Sequence, residues 1–341
     1  MLAYTIKRIL QSIVVLLVVG LVAFSMFQYV GDPVDNMLGQ ERTQADIERV
    51  RAQLGLDQPF PVQYWKFISN AAQGDFGISY RQKRPVMDIL RSSAPATLEL
   101  AFVSGLFALI IGITLGVITA IRQNGFGSGI IMTLSLIGVS LPTFLIGILL
   151  AHLFAVELGI LPSKGRGETV IIGGWVWSVF GTQIQFPSWR TGFLTESGLR
   201  ALILPSITLG LYQMTLIMRL VRSEMLEVLR QDYIRFARAR GLRERAVNFR
   251  HALKNTMVPV ITIAGLQLGS IIAFAIITET VFAWPGIGNQ FILAIRAVDI
   301  PMMAAYLMLV SVMFVIINLI VDLLYFAIDP RLRVDRTAGG H

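Results

Sequence analysis

Six stretches of this sequence are apolar over a length that can cross a bilayer, and no other feature constrains the fold as tightly. They are Ile9 to Val30, Pro95 to Ile121, Gly129 to Val156, Ala201 to Met218, Val258 to Ala283 and Met302 to Ile328. A helix rises about 1.5 Å per residue, so about 20 residues cover the hydrocarbon core. Backbone N–H and C=O groups find no water there, and segments of this length satisfy them as helices. The expectation is an all-α integral membrane protein with six spans. Composition agrees, since 55% hydrophobic residues, 15% charged residues and a mean hydropathy of +0.67 are too apolar for a water-soluble domain. The first run follows Lys7 and Arg8, is long, and lacks a small-x-small site before the polar segment, so it reads as a retained anchor and not as a cleaved signal peptide.

The placement of charge sets the expected orientation. With the N-terminus inside, Lys7, Arg8, Arg122, the cations from Arg219 to Lys254, and Arg331, Arg333 and Arg336 all fall on the inner side. Only Glu224, Glu227, Asp232, Glu244, Asp329 and Asp335 oppose them there, while the outer pieces are nearly balanced. This is the positive-inside pattern, with both termini cytoplasmic. The net charge of +8 is then topological and implies no nucleic-acid partner. Absence of cysteine excludes disulfides, thiolate nucleophiles and cysteine metal sites.

In chain order, residues 1–30 read as an N-terminal anchor that ends in the turn signal Gly31-Asp32-Pro33. Residues 31–93 read as an outer extension with helix-like parts at Gln44 to Leu54 and Pro61 to Ala72. Its aromatic residues Phe60, Tyr64, Trp65 and Phe67 suit either a partner or, more commonly, the seating of a small domain on the membrane surface. Residues 94–328 carry the other five spans, and 329–341 form an inner tail. The second span holds Gly105 and the pair Gly112 and Gly116, whose spacing permits close helix approach. In the third, Pro142 follows Gly138-Val-Ser140 and should kink or unwind the helix. His152 reads as a hydrogen-bonded interior residue, since no second metal ligand lies at helical spacing. Trp175, Trp177 and Trp189 in the second outer loop fit an interfacial belt. The fourth span should run inward past Arg219 and Arg222. Asn318 and Asp322 share one face of the last span, where a structural pairing and a transport role are equally open.

A polar, basic island between two spans runs over 228–258. Read at 3.6 residues per turn, Tyr233, Phe236 and Ala237 fall on one helical face, Arg235 and Arg238 on the opposite one, and Gly241 where a short helix would stop. Such a helix suits docking in a partner's groove. The competing reading is a loop that serves only as an orientation signal.

Ala237 with Gly241 four positions later, the segment His251-Ala-Leu-Lys-Asn255, and Pro259 opening the next span together resemble the EAA loop of permease subunits in bacterial ABC importers. Arg235 and Phe236 stand where that motif has Glu and Ala. The wording from Asp232 to Leu242, the segments Leu54-Gly-Leu-Asp-Gln-Pro59 and Gly74-Asp-Phe-Gly-Ile-Ser79, and the run from Thr278 to Gly288 resemble the dipeptide, oligopeptide and nickel branch of that family. The resemblance covers nearly the whole chain. It implies the type I importer permease fold, with six transmembrane helices and a periplasmic extension after the first, in the bacterial inner membrane. It also implies a second related permease subunit, two ATPase subunits that bind ATP and Mg, a periplasmic substrate-binding protein, and surrounding membrane lipid. The coupling loop would comprise Tyr233, Arg235, Phe236, Ala237, Arg238, Gly241, Leu242, His251, Asn255 and Pro259. Ser140, Pro142, Glu279, Trp284, Pro285 and Gly286 are the candidate pathway or gate residues. The implied cargo is a di- or oligopeptide, with nickel, glutathione, an opine or an oligosaccharide as alternatives.

No phosphate loop, His-Glu-x-x-His pair or Gly-x-Ser-x-Gly elbow occurs, so the expectation is a translocation subunit that neither binds ATP by that route nor catalyses a reaction. An ion-coupled secondary transporter is the rival class. It is expected to hold carboxylates in mid-span, and Asp322 is the one such residue read here.

Overall fold

The computed structural model describes residues 2–29, 43, 48, 57–174, 176–179, 182–185 and 188–328. The turn at Gly31 to Pro33, the expected helix at Gln44 to Leu54 apart from Glu48, Trp175 and the tail 329–341 lie outside these, as do the side chains of Trp177 and Asp322.

The helices among the described residues are α1 (Leu2–Tyr29), α2 (Phe60–Ala72), α3 (Val86–Ile121), α4 (Phe126–Ser140), α5 (Thr143–Ala151, continued by a π-helical turn over His152–Glu157), α6 (Glu196–Leu229), α7 (Asp232–Ala239), α8 (Glu244–Ala246), α9 (Leu253–Val281), α10 (Ile287–Arg296) and α11 (Ile300–Ile328). Four described helices, α1, α3, α6 and α11, are unbroken and apolar over spanning length. Two more spans are bent, with 108° between Phe126–Ser140 and Thr143–Glu157 and 42° between Pro259–Gly265 and Gly269–Val281. Counting each bent pair as one gives up to six. The loop between the third and fourth spans adds short strands that composition alone did not announce, and Val176–Val179 pairs antiparallel with Thr182–Gln185.

Span ends lie further out than the apolar runs. The α3 helix begins at Val86 with Pro95 inside it, because Val86, Ile89 and Leu90 are buried on one side while Asp88 and Arg91 stay exposed on the other. The break at Pro142 is present: Leu141 and Pro142 are both extended, and helix resumes at Thr143. His152 departs from expectation. Its side chain is 61% exposed and lies 3.4 Å from Glu157 instead of in the interior.

The described residues fall into two compact units. The first comprises 1–97, 173–190 and 285–315. There α2 packs on α1: the Phe24 ring lies 5.1 Å from Phe60, 5.9 Å from Tyr64 and 5.8 Å from Phe67, and Tyr64 Oη donates to the Leu17 carbonyl at 2.7 Å. Three of the four aromatic residues thus seat the helix, and Trp65 is left 68% exposed. A tight hairpin follows, with Ser79 N–H donating to the Arg84 carbonyl at 2.9 Å and Lys83 N–H to the Ser79 carbonyl at 2.9 Å. Buried Asp299 anchors it, accepting from Ser79 Oγ, from Tyr80 N–H at 3.0 Å and from Arg81 N–H at 3.2 Å.

The second unit comprises 98–172, 191–284 and 316–341 and is built around α6. A Cβ on Gly116 of α3 would lie 2.7 Å from Val221 Cβ and 2.8 Å from the Met218 carbonyl of α6. The Gly112 and Gly116 pair therefore brings these helices to backbone contact, as its spacing suggested. The break in the third span leaves both arms on α6, Gly138 against Leu211 and Thr215, and Gly147 against Thr208. A continuous apolar cluster runs from Ala108 through Ile217, Val221 and Met225 to Ile234, Ala237, Val247 and Ala252. That cluster carries the core of the span bundle into the basic loop.

Candidate functional site

The loop over 228–258 is ordered by that cluster. After α6 ends, Gln231 is extended and its carbonyl accepts from Ile234 N–H at 3.1 Å and Arg235 N–H at 3.2 Å, which starts α7. Ile234 and Ala237 lie one turn apart and point into the cluster, 0% and 7% exposed. Tyr233 and Phe236 form the adjacent stripe and stay 44% and 65% exposed. The face expected from spacing is thereby divided. Ala237 is packed inward, and its small side chain lets α7 lie close to the bundle, while Tyr233 and Phe236 face outward.

Both ends of α7 are fixed. At its C-terminus Gly241 N–H donates to the Arg238 carbonyl at 2.9 Å and Leu242 N–H to the Ala237 carbonyl at 3.3 Å, a Schellman motif with Gly241 at φ 76°. Nothing stands within 4 Å of where a Gly241 Cβ would go, so only the backbone conformation demands glycine there. At the other end Asn255 Nδ2 donates to Tyr233 Oη at 2.8 Å, which ties α7 to the first turn of α9. Arg238 pairs with Glu244 at 3.1 Å and Arg235 with Asp232 at 3.4 Å, all in exposed positions. His251 is half-buried in the π-helical turn Val247–Ala252, whose ends Val247 and Ala252 are fully buried. Pro259 lies inside α9, where it supplies no N–H to the carbonyl of Asn255.

What remains outside is a basic, aromatic face. Phe236 and Tyr233 project from it, Leu242 at 42% and Phe249 at 53% are exposed elsewhere in the loop, and the Arg240 guanidinium lies 5.8 Å from the centre of the Phe236 ring. The short helix is thus packed on the spans on one side, with Tyr233 and Phe236 exposed on the other.

The six pathway candidates divide. Ser140 and Pro142 are exposed at the break between α4 and α5. Glu279 and Trp284 are fully buried, and Trp284 N–H donates to the Glu279 carbonyl at 2.8 Å across Ala283, a non-glycine residue at φ 46°. Pro285 and Gly286 lead into α10, with Gly286 extended as its N-cap.

Sequence reasoning missed three polar constellations. Glu99, in the first half of α3, pairs with Arg166 at 2.6 Å and also accepts from Gly192 N–H at 3.3 Å. Asp299, with the hairpin it anchors, is the second. In the bundle, Gln213 of α6 donates to Ser270 of α9 at 2.9 Å beside the bend in α9. Glu99 had one available signal, a carboxylate at the head of an apolar run; the partner 67 residues away had none.

A bundle of this kind, with broken spans and an ordered basic loop between two of them, defines an integral-membrane transport component. The chain belongs to the family of binding-protein-dependent transport system inner membrane components, whose pattern matches residues 112–334, with the family's N-terminal region matching residues 1–101. It is 40% identical to the dipeptide transport system permease protein DppB of Alkalihalophilus pseudofirmus over 338 residues, covering 98% of this chain and 100% of that one. It is 39% identical to the glutathione transport system permease protein GsiC of Escherichia coli K12 over 334 residues, covering 98% and 99%. Among solved structures, an inward-facing MetNI methionine ABC transporter superposes with a TM-score of 0.53 at 18% identity, covering 71% of this chain and 97% of that chain. That likeness concerns the fold, and it agrees with the permease architecture expected from the sequence. The chain is thus a multi-pass inner-membrane permease component, a translocation subunit.

Proposed function

We propose that this permease moves di- or oligopeptides inward, driven by ATP hydrolysed on partner subunits. The two relatives above support the cargo class, since one is named for dipeptides and the other for glutathione, itself a small peptide. The observation that carries the coupling role is the pair of exposed rings, Tyr233 and Phe236, on a helix fixed at both ends, with exposed Leu242 and Phe249 in the same loop. In this reading two ATPase subunits, which bind ATP and Mg, receive that face. A second related permease subunit completes the pathway, and a periplasmic binding protein delivers cargo. Arg235, Arg238, His251, Asn255 and Pro259 support the loop, and Ser140, Pro142, Glu279, Trp284, Pro285 and Gly286 belong to the pathway or its gate. Residues 31–93 form the periplasmic extension, and both termini lie in the cytoplasm, in keeping with the charge bias.

The deciding experiment reconstitutes the chain with its copurifying partners in vesicles and measures ATP-dependent uptake of a panel containing dipeptides, oligopeptides, glutathione, nickel, an opine and an oligosaccharide. Uptake of the peptides alone is expected, with loss of cargo-stimulated ATP hydrolysis in Phe236→Ala. Uptake of nickel or a sugar without peptide would overturn the cargo class. Uptake that follows an ion gradient without ATP would overturn the mechanism.

A further inference from the structure

The first unit holds an apolar groove of about 400 Å³ that the transport reading does not use. Its walls come from four helices: Ile13 and Leu17 on α1, Ala71 on α2, Met87 on α3, and Met308 and Val312 on α11. Every lining side chain is apolar, Phe76 among them. One wall is rigidly placed, since Tyr64 holds α2 to the Leu17 carbonyl and a Cβ on Gly20 would fall 2.4 Å from Ile68 Cδ1.

We propose that this groove takes one acyl chain of a membrane phospholipid. A peptide or a charged cargo would find no partner there for its amides or charges, and burying them unpaired is unfavourable. The groove adjoins the outer face of α1, where Ile13, Val14 and Val18 are 47%, 60% and 56% exposed in the middle of a spanning helix. What reaches it is therefore hydrocarbon. A helix from another subunit is the other apolar candidate, but an α-helix about 10 Å across rises about 1.5 Å per residue, so this volume holds about one turn. A flexible chain fits a narrow space where a helix does not, and it restores the dispersion contacts that an empty apolar groove lacks. Enclosure by four helices distinguishes the site from the lipid that coats any exposed span.

The test uses the intact transporter in lipid nanodiscs doped with a phosphatidylcholine carrying a diazirine at mid-chain, irradiated and mapped by peptide mass spectrometry. Adducts on Met87 and Met308 should exceed those on exposed Val18 several-fold and should persist when lipid is exchanged for detergent before irradiation. Ala71→Phe, which fills the groove, should lower the Met308 adducts several-fold and leave Val18 unchanged; Ala72→Leu serves if that variant does not assemble. Equal yields at Met308 and Val18 would show bulk lipid only. Met308 protected from the probe but cross-linked to a partner subunit would assign the groove to protein. Either result overturns the proposal, whatever cargo the transporter carries.

Discussion

The Glu99 carboxylate and the Arg166 guanidinium meet at 2.6 Å with side chains only 1% and 6% exposed. Glu99 lies in the first half of α3 and Arg166 in the loop after the third span, so the pair fastens that loop to the bundle, with Gly192 N–H as a further donor. Removing one partner leaves a buried charge uncompensated, which typically destabilises by roughly 3–5 kcal/mol, whereas replacing both by apolar residues is often neutral. Arg166→Met should therefore lower the melting temperature of the solubilised protein sharply. Adding Glu99→Leu should recover most of the loss. Additive losses in the double variant would show that the pair is not a unit.

Asp299 invites a different prediction, because it satisfies two backbone donors and a hydroxyl in one hairpin. Asp299→Leu strands these groups, and a buried polar group without a partner costs about 1–3 kcal/mol. The segment from Arg81 to Arg84 should become a site of limited proteolysis while the spans remain resistant. Ser79→Ala should be milder, since the backbone donors keep their acceptor. Uniform proteolysis across the chain in Asp299→Leu would mean that the hairpin is no separate local element.

At the broken third span, the structure alters what Pro142→Ala should do. Proline alone suggests that alanine would straighten the helix. Yet both arms are packed on α6, and a Cβ on Gly147 would lie 3.1 Å from Thr208 Cγ2 and 3.2 Å from Phe282 Cε2. The bend should therefore survive Pro142→Ala and yield instead to Gly147→Leu, which overpacks the contact by about 1–3 kcal/mol. Spin labels at Thr133→Cys and Leu149→Cys report the distance across the break, on a background with no native cysteine. A longer distance in Pro142→Ala would return the cause of the bend to the proline.

Apolar length made the spans legible, and glycine spacing made the contact of α3 with α6 legible, because both are local properties of the chain. The kink at Pro142 was legible for the same reason. Long-range pairing was not. Nothing near Glu99 points to Arg166, 67 residues on, and nothing near Ser79 points to Asp299, 220 residues on. The helix of the basic loop was foreseen with its stop at Gly241, but periodicity yields two faces without saying which is packed. Ile234 decides that question: it is fully buried, one turn before Ala237, and so turns Ala237 inward with it.

That packing separates two roles the sequence had merged on one face. Ala237→Glu puts a carboxylate into the apolar cluster shared with Met225 and Val247, at a cost of roughly 1–3 kcal/mol or more. It should reduce folding of the loop and, through that, coupling. Gly241→Val forces a β-branched residue to φ 76° at about 1–2 kcal/mol, with no steric clash to add. Phe236→Ala removes an exposed ring, so the melting temperature should stay close to that of the parent. Cargo-stimulated ATP hydrolysis should nevertheless fall, since that ring belongs to the proposed docking face. Arg235→Ala breaks only an exposed pair with Asp232 and should leave both properties nearly unchanged. A loop that served only to orient the chain would give the opposite ranking, because it depends on the cation and not on the ring. Stability and ATPase assays on the four variants decide between them: full coupling in Phe236→Ala together with loss in Arg235→Ala would remove the docking role from this face.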